Sequence, residues 1–433
     1  MLVHILEFSF SGIKNVEKKM KFNFYKKDID NFSRENYNIK SVYGPNGVGK
    51  TAFIDALRMM KEVSLNRNYL IENRSLISEL INKNTKCIEL EIIFYYEKNS
   101  HKKILKHEVT IEMEKDNEFV ISYEKISELT KRYEIKKNSS LLIKNGMVKE
   151  KPYKIDIDFN GNFESNSIIP MLALFKEKIF KSEVTTKEEI LNQETLREYV
   201  FEMVFCYLKM TVVVLNEEDN HYFYLNAKNY NIKNTSLEKE EIENLPLSAH
   251  SDHIPSNPKV YKNYIENIKK MESFLKILKP SLRGIRLEKK TNKERYIIEK
   301  YFVYDKYEVH IEFESAGIKR LVNLFNALNS LKNGGIVLID ELDANIHDVF
   351  LSKMLQYFID YPNGQLIFTS HNLAPMKLLQ HQKKAIDFIN FDNEVIPYVQ
   401  KGNAISVNIY VEGAIKGLAF DYDNFDFIKI LGE

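Results

Sequence analysis

Cysteine is scarce in this chain. Cys87 and Cys206 are the only two among 433 residues, each isolated in an apolar stretch. That excludes a disulfide framework and thiolate zinc spacing, and both read as buried thiols of a reducing compartment. Net charge is nearly absent too. The formal balance is +1, so no global field draws nucleic acid or a membrane surface. No apolar run approaches the roughly 20 residues that cross a bilayer. The start, Met1–Phe8, lacks a basic segment and is broken by His4 and Glu7. It reads as a strand and not an export signal, which makes the cytoplasm the expected location. Internal repeats, low-complexity tracts and sustained a/d heptads are also missing, and the last absence excludes a long coiled-coil arm. What is present, 44% hydrophobic and 12% aromatic residues, is the composition of a folded globular protein. The length suits two or three domains, or one domain with a large insertion.

One stretch organises the rest: Gly44-Pro45-Asn46-Gly47-Val48-Gly49-Lys50-Thr51. It fits the phosphate-binding pattern G-x-x-x-x-G-K-[ST] at every constrained position. Glycines let the backbone curl until successive N–H groups point inward at phosphate oxygens. The helix that follows aims its positive end at the same place. Lys50 then reaches the β- and γ-phosphates, and the Thr51 hydroxyl ligates Mg²⁺. Ile39–Tyr43 reads as the strand leading in, while Phe53, Ile54, Leu57 and Met60 fall at helical spacing behind. The chain is expected to bind a nucleotide.

Along the chain, Leu6, Phe8 and Phe10 alternate on a first strand, and Met20, Phe22 and Phe24 on a second. Beyond the P-loop helix and a softer helical segment near Leu76–Ile81, three stretches alternate apolar and polar residues. Cys87–Tyr96, Ile104–Met113 and Phe119–Tyr123 are expected to form antiparallel strands with one wet face. From about 168 to 279 the character turns helical, over Leu172–Phe180, Glu188–Leu208 and Tyr261–Leu278, with a strand-like Thr211–Leu215 between them. An acidic run (Glu238, Glu240, Glu241, Glu243) with Pro246, Pro255 and Pro258 reads as an exposed loop. After Leu282 the β pattern returns through Ile311 and Phe313. Ser315-Ala316-Gly317 then opens a helix whose apolar face is Leu321, Leu324, Phe325, Leu328 and Leu331, and Gly334 closes it. Ile336–Ile339 is apolar on both faces, as a central parallel strand is. It delivers Asp340 and Glu341 at its C-terminal end, and a later strand, Gln365–Thr369, runs into Ser370-His371-Asn372.

Two adjacent carboxylates at a strand end suit nucleotide hydrolysis. One holds Mg²⁺ through its water shell and the other polarises the attacking water. About 290 residues separate Thr51 from Asp340, and a Ser-x-Gly helix comes immediately before the acidic strand. That order resembles the ABC-type ATPases, specifically the soluble branch that includes the RecF, SMC and OLD proteins. The likeness covers about 1–60 and 305–390. It implies that Gly44–Thr51 is Walker A and that Ile336–Glu341 is Walker B, with Asp340 on the metal and Glu341 the catalytic base. Ser315 and Gly317 match the signature residues, Asp343 the D-loop, and His371 the switch histidine that contacts the γ-phosphate. Ala316 and Ile318 depart from the transporter signature, and no glutamine occurs between Thr51 and Gln193, so the usual Q-loop residue is not identifiable.

The implied fold is α/β: an ABC-ATPase-type P-loop nucleotide-binding fold with a mixed sheet plus an antiparallel β subdomain and an inserted helical domain. The expected limits are 1–165 and 300–433 for the two halves of the ATPase and 166–299 for the insertion. Only about 60 residues follow His371, too few for the C-terminal Toprim domain of the OLD nucleases. The tail from Gly402 to Gly417, which holds Val407–Gly413, resembles the close of stand-alone ATPases of bacterial abortive-infection and anti-phage operons, of the RloA/PARIS-like kind. That likeness implies ATP and Mg²⁺ as cofactors and a homodimer or higher homo-oligomer. It also implies a separate effector, a Toprim- or RloB-like nuclease or similar, and no membrane partner. A RecF-like DNA-repair ATPase is the alternative. Arg283, Arg286, Lys289, Lys290, Lys293 and Arg295 form a basic stretch without interleaved aromatics, which reads as a solvated strand pair. His250 and His253 lack a third metal ligand at a recognisable spacing. His347 suits a helix cap or packing role as well as a functional one.

Overall fold

A computed structural model describes residues 1–26, 29, 31–65, 69–114, 118–144, 147–151, 156–158, 202–213, 247, 251–291, 295–344, 346–399, 406–413 and 415. The expected helices at Leu172–Phe180 and over the first part of Glu188–Leu208, the acidic loop, His250 and the 165/166 limit lie outside these residues.

Eighteen strands appear among the described residues: β1 Leu2–Ser11, β2 Met20–Asn23, β3 Ile39–Tyr43, β4 Cys87–Lys98, β5 His101–Met113, β6 Phe119–Leu129, β7 Ile135–Lys144, β8 Met147–Lys151, β9 Asp156–Asp158, β10 Met210–Val213, β11 Asp252–Pro255, β12 Gly284–Thr291, β13 Arg295–Val303, β14 Glu308–His310, β15 Ile336–Ile339, β16 Gln365–Thr369, β17 Ile386–Ile389 and β18 Val395–Pro397. They form three sheets. The central one runs β10-β15-β16-β3-β17-β18, parallel from β10 to β17 with β18 antiparallel at the edge. The second is antiparallel, ordered β2-β1-β4-β5-β6-β7-β8-β9. The third joins β11, β13 and β12, with β14 on β13. The expected mixed sheet with an antiparallel β subdomain is what forms.

The central sheet is apolar on both sides because it is covered on both. Ile336, Leu338, Ile367 and Val42 face a core shared with the P-loop helix Lys50–Leu65 and the antiparallel sheet. Val337, Ile339, Phe368 and Tyr43 face the other core, beneath the helices Ala316–Lys332, Asp348–Asp360 and Ala374–Leu379. Residues 406–411, within the stretch likened to the close of the stand-alone ATPases, form a short helix whose Tyr410 stacks on Phe388 at 5.4 Å.

Six expectations need correction. Pro255 ends β11 and Pro258 opens the helix Pro258–Leu278, so the exposed loop does not reach either proline. Cys87 is half-buried, and only Cys206 is buried. The first strand does not alternate simply. A bulge between Ile5 and Glu7 inserts one residue, so Val3, Ile5, Phe8 and Phe10 share one core while Leu6 enters another. The segment 166–299 is not one mainly helical insertion, because Met210–Val213 pairs in parallel with β15 and belongs to the central sheet. The limit at 299/300 falls inside β13. Ile311–Phe313 is a 3₁₀ turn and not a strand.

The described part of 251–303 packs the helix Pro258–Leu278 on the third sheet. Asn257 caps this helix, with Pro258 in its first turn, where a missing N–H costs nothing. Its core takes in Ile318, Val322 and Phe325 of the helix Ala316–Lys332. A buried triad fixes it further: Asp252 accepts from Tyr264 Oη at 2.7 Å and Lys300 Nζ at 2.5 Å.

One side chain clamps the two large sheets together. Gln365 accepts from Ile5 N–H at 2.7 Å and donates to Ile5 C=O at 2.9 Å, at the bulge. Gln365→Ala would leave both backbone groups buried and unpaired, and is expected to destabilise the fold by about 2–4 kcal/mol. A clear drop in thermal midpoint beside the wild type checks this.

Candidate nucleotide-binding site

Each strand of a parallel sheet ends at the same edge, and a ligand site forms where loops leave that edge. Here β3 ends in the loop Gly44–Thr51, β15 in Asp340-Glu341, and β16, lying between them, in Ser370-His371. Topology thus places side by side residues that the sequence separates by hundreds of positions.

The loop closes as its glycines allow. Gly47 and Gly49 have φ of 80° and 106°, in the region L side chains avoid. A Cβ on Gly47 would meet nothing within 4 Å, whereas one on Gly49 would press Val16 Cγ2 at 3.0 Å. The loop is open at its crown and packed at its base. Two neighbours brace it: Asn15 Nδ2 donates to Gly47 O at 2.6 Å, and Asn393 Nδ2 donates to Val48 O at 2.9 Å. Neither brace is legible from the motif, because each comes from a separate turn. The helix then starts at Lys50, with Thr51 exposed in its first turn.

The Lys50 ammonium lies inside the loop, donating to Gly44 O and Pro45 O at 2.7 Å each. Burial pulls its pKa down from the ordinary lysine value, while Asp340, Glu341 and Asp343 oppose that shift. All three acids lie close enough for their charge to reach the Lys50 ammonium. Asp340 is buried and accepts a hydrogen bond from Thr369 Oγ1, and the same Thr369 oxygen accepts Glu341 N–H at 2.8 Å. Glu341 is exposed and has φ of 51°. A left-handed backbone costs a non-glycine residue about 1–2 kcal/mol, so the surroundings must enforce it. Asp343 Oδ1 is buried without a hydrogen-bond partner. His371 is exposed directly beyond β16. His347 proves to be a cap, its Nδ1 accepting Val349 N–H at 3.3 Å.

The structure does not bring Ser315 and Gly317 to this cluster. Ser315 caps the helix Ala316–Lys332, its Oγ accepting Ile318 N–H at 3.4 Å, and it is exposed. A Cβ on Gly317 would meet nothing within 4 Å. Among the described residues, no hydrogen bond joins either one to the P-loop.

An open loop crown, a helix N-terminus, a buried ammonium and an orphaned Asp343 oxygen fit a magnesium–nucleoside triphosphate: donors for phosphate, acids for the metal. Among the described residues no group of three or more His, Cys, Asp or Glu could hold a metal ion by itself, so Mg²⁺ here would depend on the nucleotide's phosphates together with one or two protein oxygens. No helix among them is long and apolar enough to cross a membrane.

Fold and site together define a P-loop nucleotide-binding protein of the α/β class. Residues 41–375 match the family described as "AAA domain, putative AbiEii toxin, Type IV TA system". That is most of the chain, and the chain belongs to this family of AAA-type ATPase domains. No curated protein matches the sequence. A solved structure entitled "Structure of the recombination mediator protein RecF-ATP in RecFOR pathway" is similar at 14% identity and a TM-score of 0.36, over 92% of this chain and 99% of that one. A likeness that low carries no weight for fold or function here.

Proposed function

We propose that this chain hydrolyses ATP with Mg²⁺, dimerises around the nucleotide, and acts as a switch on a separate effector in bacterial anti-phage defence. The observation that carries the reading is the meeting of Gly44–Thr51, Asp340, Glu341, Asp343 and His371 at one edge of the central sheet. In this reading the loop N–H groups and Lys50 take the phosphates, and Thr51 with Asp340 holds Mg²⁺. Glu341 accepts the proton of the attacking water, and His371 contacts the γ-phosphate. Mg²⁺ when bound neutralises developing charge on the phosphate oxygens. Ser315 and Gly317 serve the partner copy's site. The family description, which names a toxin and a toxin–antitoxin system, agrees with the defence setting.

The DNA-repair alternative loses ground at the basic stretch. Arg283 is paired with Asp305 at 2.6 Å, and Arg286 with Glu288 and Glu308 at 2.7 and 2.8 Å. Lys289 lies over the Tyr261 and Tyr296 rings at 4.4 and 4.6 Å. Arg283, Arg286 and Lys289 therefore already meet acids and aromatics of the same chain, which a phosphate backbone would have to compete with. Tyr261 comes from a separate helix, while Tyr296 directly follows Arg295 at the end of the basic stretch and is brought over Lys289 by the pairing of β12 with β13.

The test is phosphate release from Mg²⁺-ATP by the purified protein, which Lys50→Ala should abolish. No release by the wild type would end the hydrolase reading. Co-purification with the product of a neighbouring gene tests the effector half, and strongly salt-dependent binding of bare duplex DNA would favour the repair reading instead.

A further inference from the structure

Asp340 and Glu341 are both held by one side chain of the neighbouring strand. Thr369, the last residue of β16, is fully buried. Its hydroxyl donates to Asp340 Oδ1 and accepts Glu341 N–H, while its backbone oxygen accepts Leu342 N–H at 3.1 Å. A threonine hydroxyl has one proton. With an N–H directed at its oxygen, that proton is committed to the carboxylate, which makes a charge-assisted bond. β-Branching limits the side chain to few rotamers, so the hydroxyl holds its place with little entropy to lose. The consequence for Glu341 is direct. Its left-handed backbone (φ 51°) lies between two N–H groups, its own and that of Leu342, both bonded to Thr369.

β16 also reaches the rest of the site. Ser370 N–H donates to Val42 O at 3.3 Å, on the strand that carries the P-loop, and His371 follows at once. One residue on the middle strand thus holds the acidic pair, while the next one bonds the strand that leads into the P-loop.

We propose that Thr369 is the positioning residue of the hydrolytic site. Its hydroxyl fixes Asp340 with one oxygen left for the water shell of Mg²⁺, and it sets the backbone that aims Glu341 at the attacking water. This rests on the ATPase reading above. Nothing in the local sequence marks Thr369, since a threonine at a strand end looks like ordinary β-propensity.

The experiment compares wild type, Thr369→Val and Thr369→Ser, measuring kcat, KM for ATP, the half-saturating Mg²⁺ concentration and the thermal midpoint. Valine keeps the shape and removes the hydroxyl. It should lower kcat about 10- to 100-fold, a range set by orienting-shell losses at metal sites and by general-base loss. KM for ATP should stay within about threefold, because the P-loop is untouched, and more Mg²⁺ should be needed. Thr369→Ser should restore most of the rate. If the valine variant does not fold, Thr369→Cys, similar in size with a weak donor, takes its place with the same expectation. A hydrolysing wild type matched by the hydroxyl-less variant overturns the proposal and leaves the ATPase reading standing. Valine and serine variants equally slowed and equally destabilised also overturn it, since packing would then explain both. A wild type that turns over no ATP removes the ATPase reading and this proposal together.

Discussion

Glu341→Gln is expected to lower ATP turnover by about 100-fold or more while leaving nucleotide binding intact. Loss of a general base costs on that scale because the proton of the attacking water has no acceptor in the transition state. The substitution is nearly isosteric. Glu341 is exposed, and its contact with Thr369 is made by its backbone N–H, so the variant keeps the local geometry and loses only the charge. Asp340→Asn is expected to act differently. Asp340 is buried and its charge reaches Lys50, and the neutral amide of asparagine is a poorer anchor for a hydrated divalent ion. Mg²⁺-nucleotide binding itself should weaken by about tenfold or more. Single-turnover hydrolysis and a separate nucleotide-binding titration separate the two effects. Near-normal turnover in the Glu341 variant would remove that residue from the chemistry.

Lys50→Ala and Gly317→Arg, each inactive alone, are expected to regain activity when mixed. The reason is geometric. Ser315 and Gly317 head an exposed helix N-terminus, a phosphate-binding device, yet no hydrogen bond among the described residues joins them to the P-loop of their own chain. If they complete the partner's site, a mixed dimer contains one site with both lesions and one with neither. Equal mixing makes half the dimers mixed, so roughly a quarter of the wild-type rate should return if one intact site works alone. Gly317 suits the test. A Cβ there meets open space, and an arginine inside a helix has better propensity than glycine, so a loss of activity would not reflect misfolding. The measurement is hydrolysis rate against mixing ratio, with mixed dimers counted by differential tags. Full activity of Gly317→Arg by itself would remove the trans assignment.

Much of the site was legible because its signals are local. A P-loop is a run of neighbouring residues whose spacing is dictated by one phosphate chain. The helix behind it, the strand before it and the acidic pair after an apolar run also follow from short-range periodicity. The capped start of the helix Ala316–Lys332 and its end near Gly334, with φ of 85°, are of the same kind. The first strand was misread at Leu6 because a bulge has no composition of its own. It exists because Gln365, from 360 positions away, satisfies the backbone groups of Ile5.

By itself the sequence determined the nucleotide loop, the acidic strand end, the antiparallel β character of 87–129 and the helical register around each. All of these depend on residues within a turn or two of one another. Only the tertiary structure decided that β16 lies between β3 and β15, since strand order is set by crossover packing and leaves no periodic trace. The same holds for Lys40, a charged residue in a strand buried on both faces. Its ammonium is 2.5 Å from Asp387 on the neighbouring β17 and donates to Lys384 O at 2.7 Å. Burial pulls the lysine pKa down and pushes the aspartate up, so neither charge is tolerable there without the other. A buried charge needs a partner, and the fold alone, having placed two distant strands side by side, could supply it.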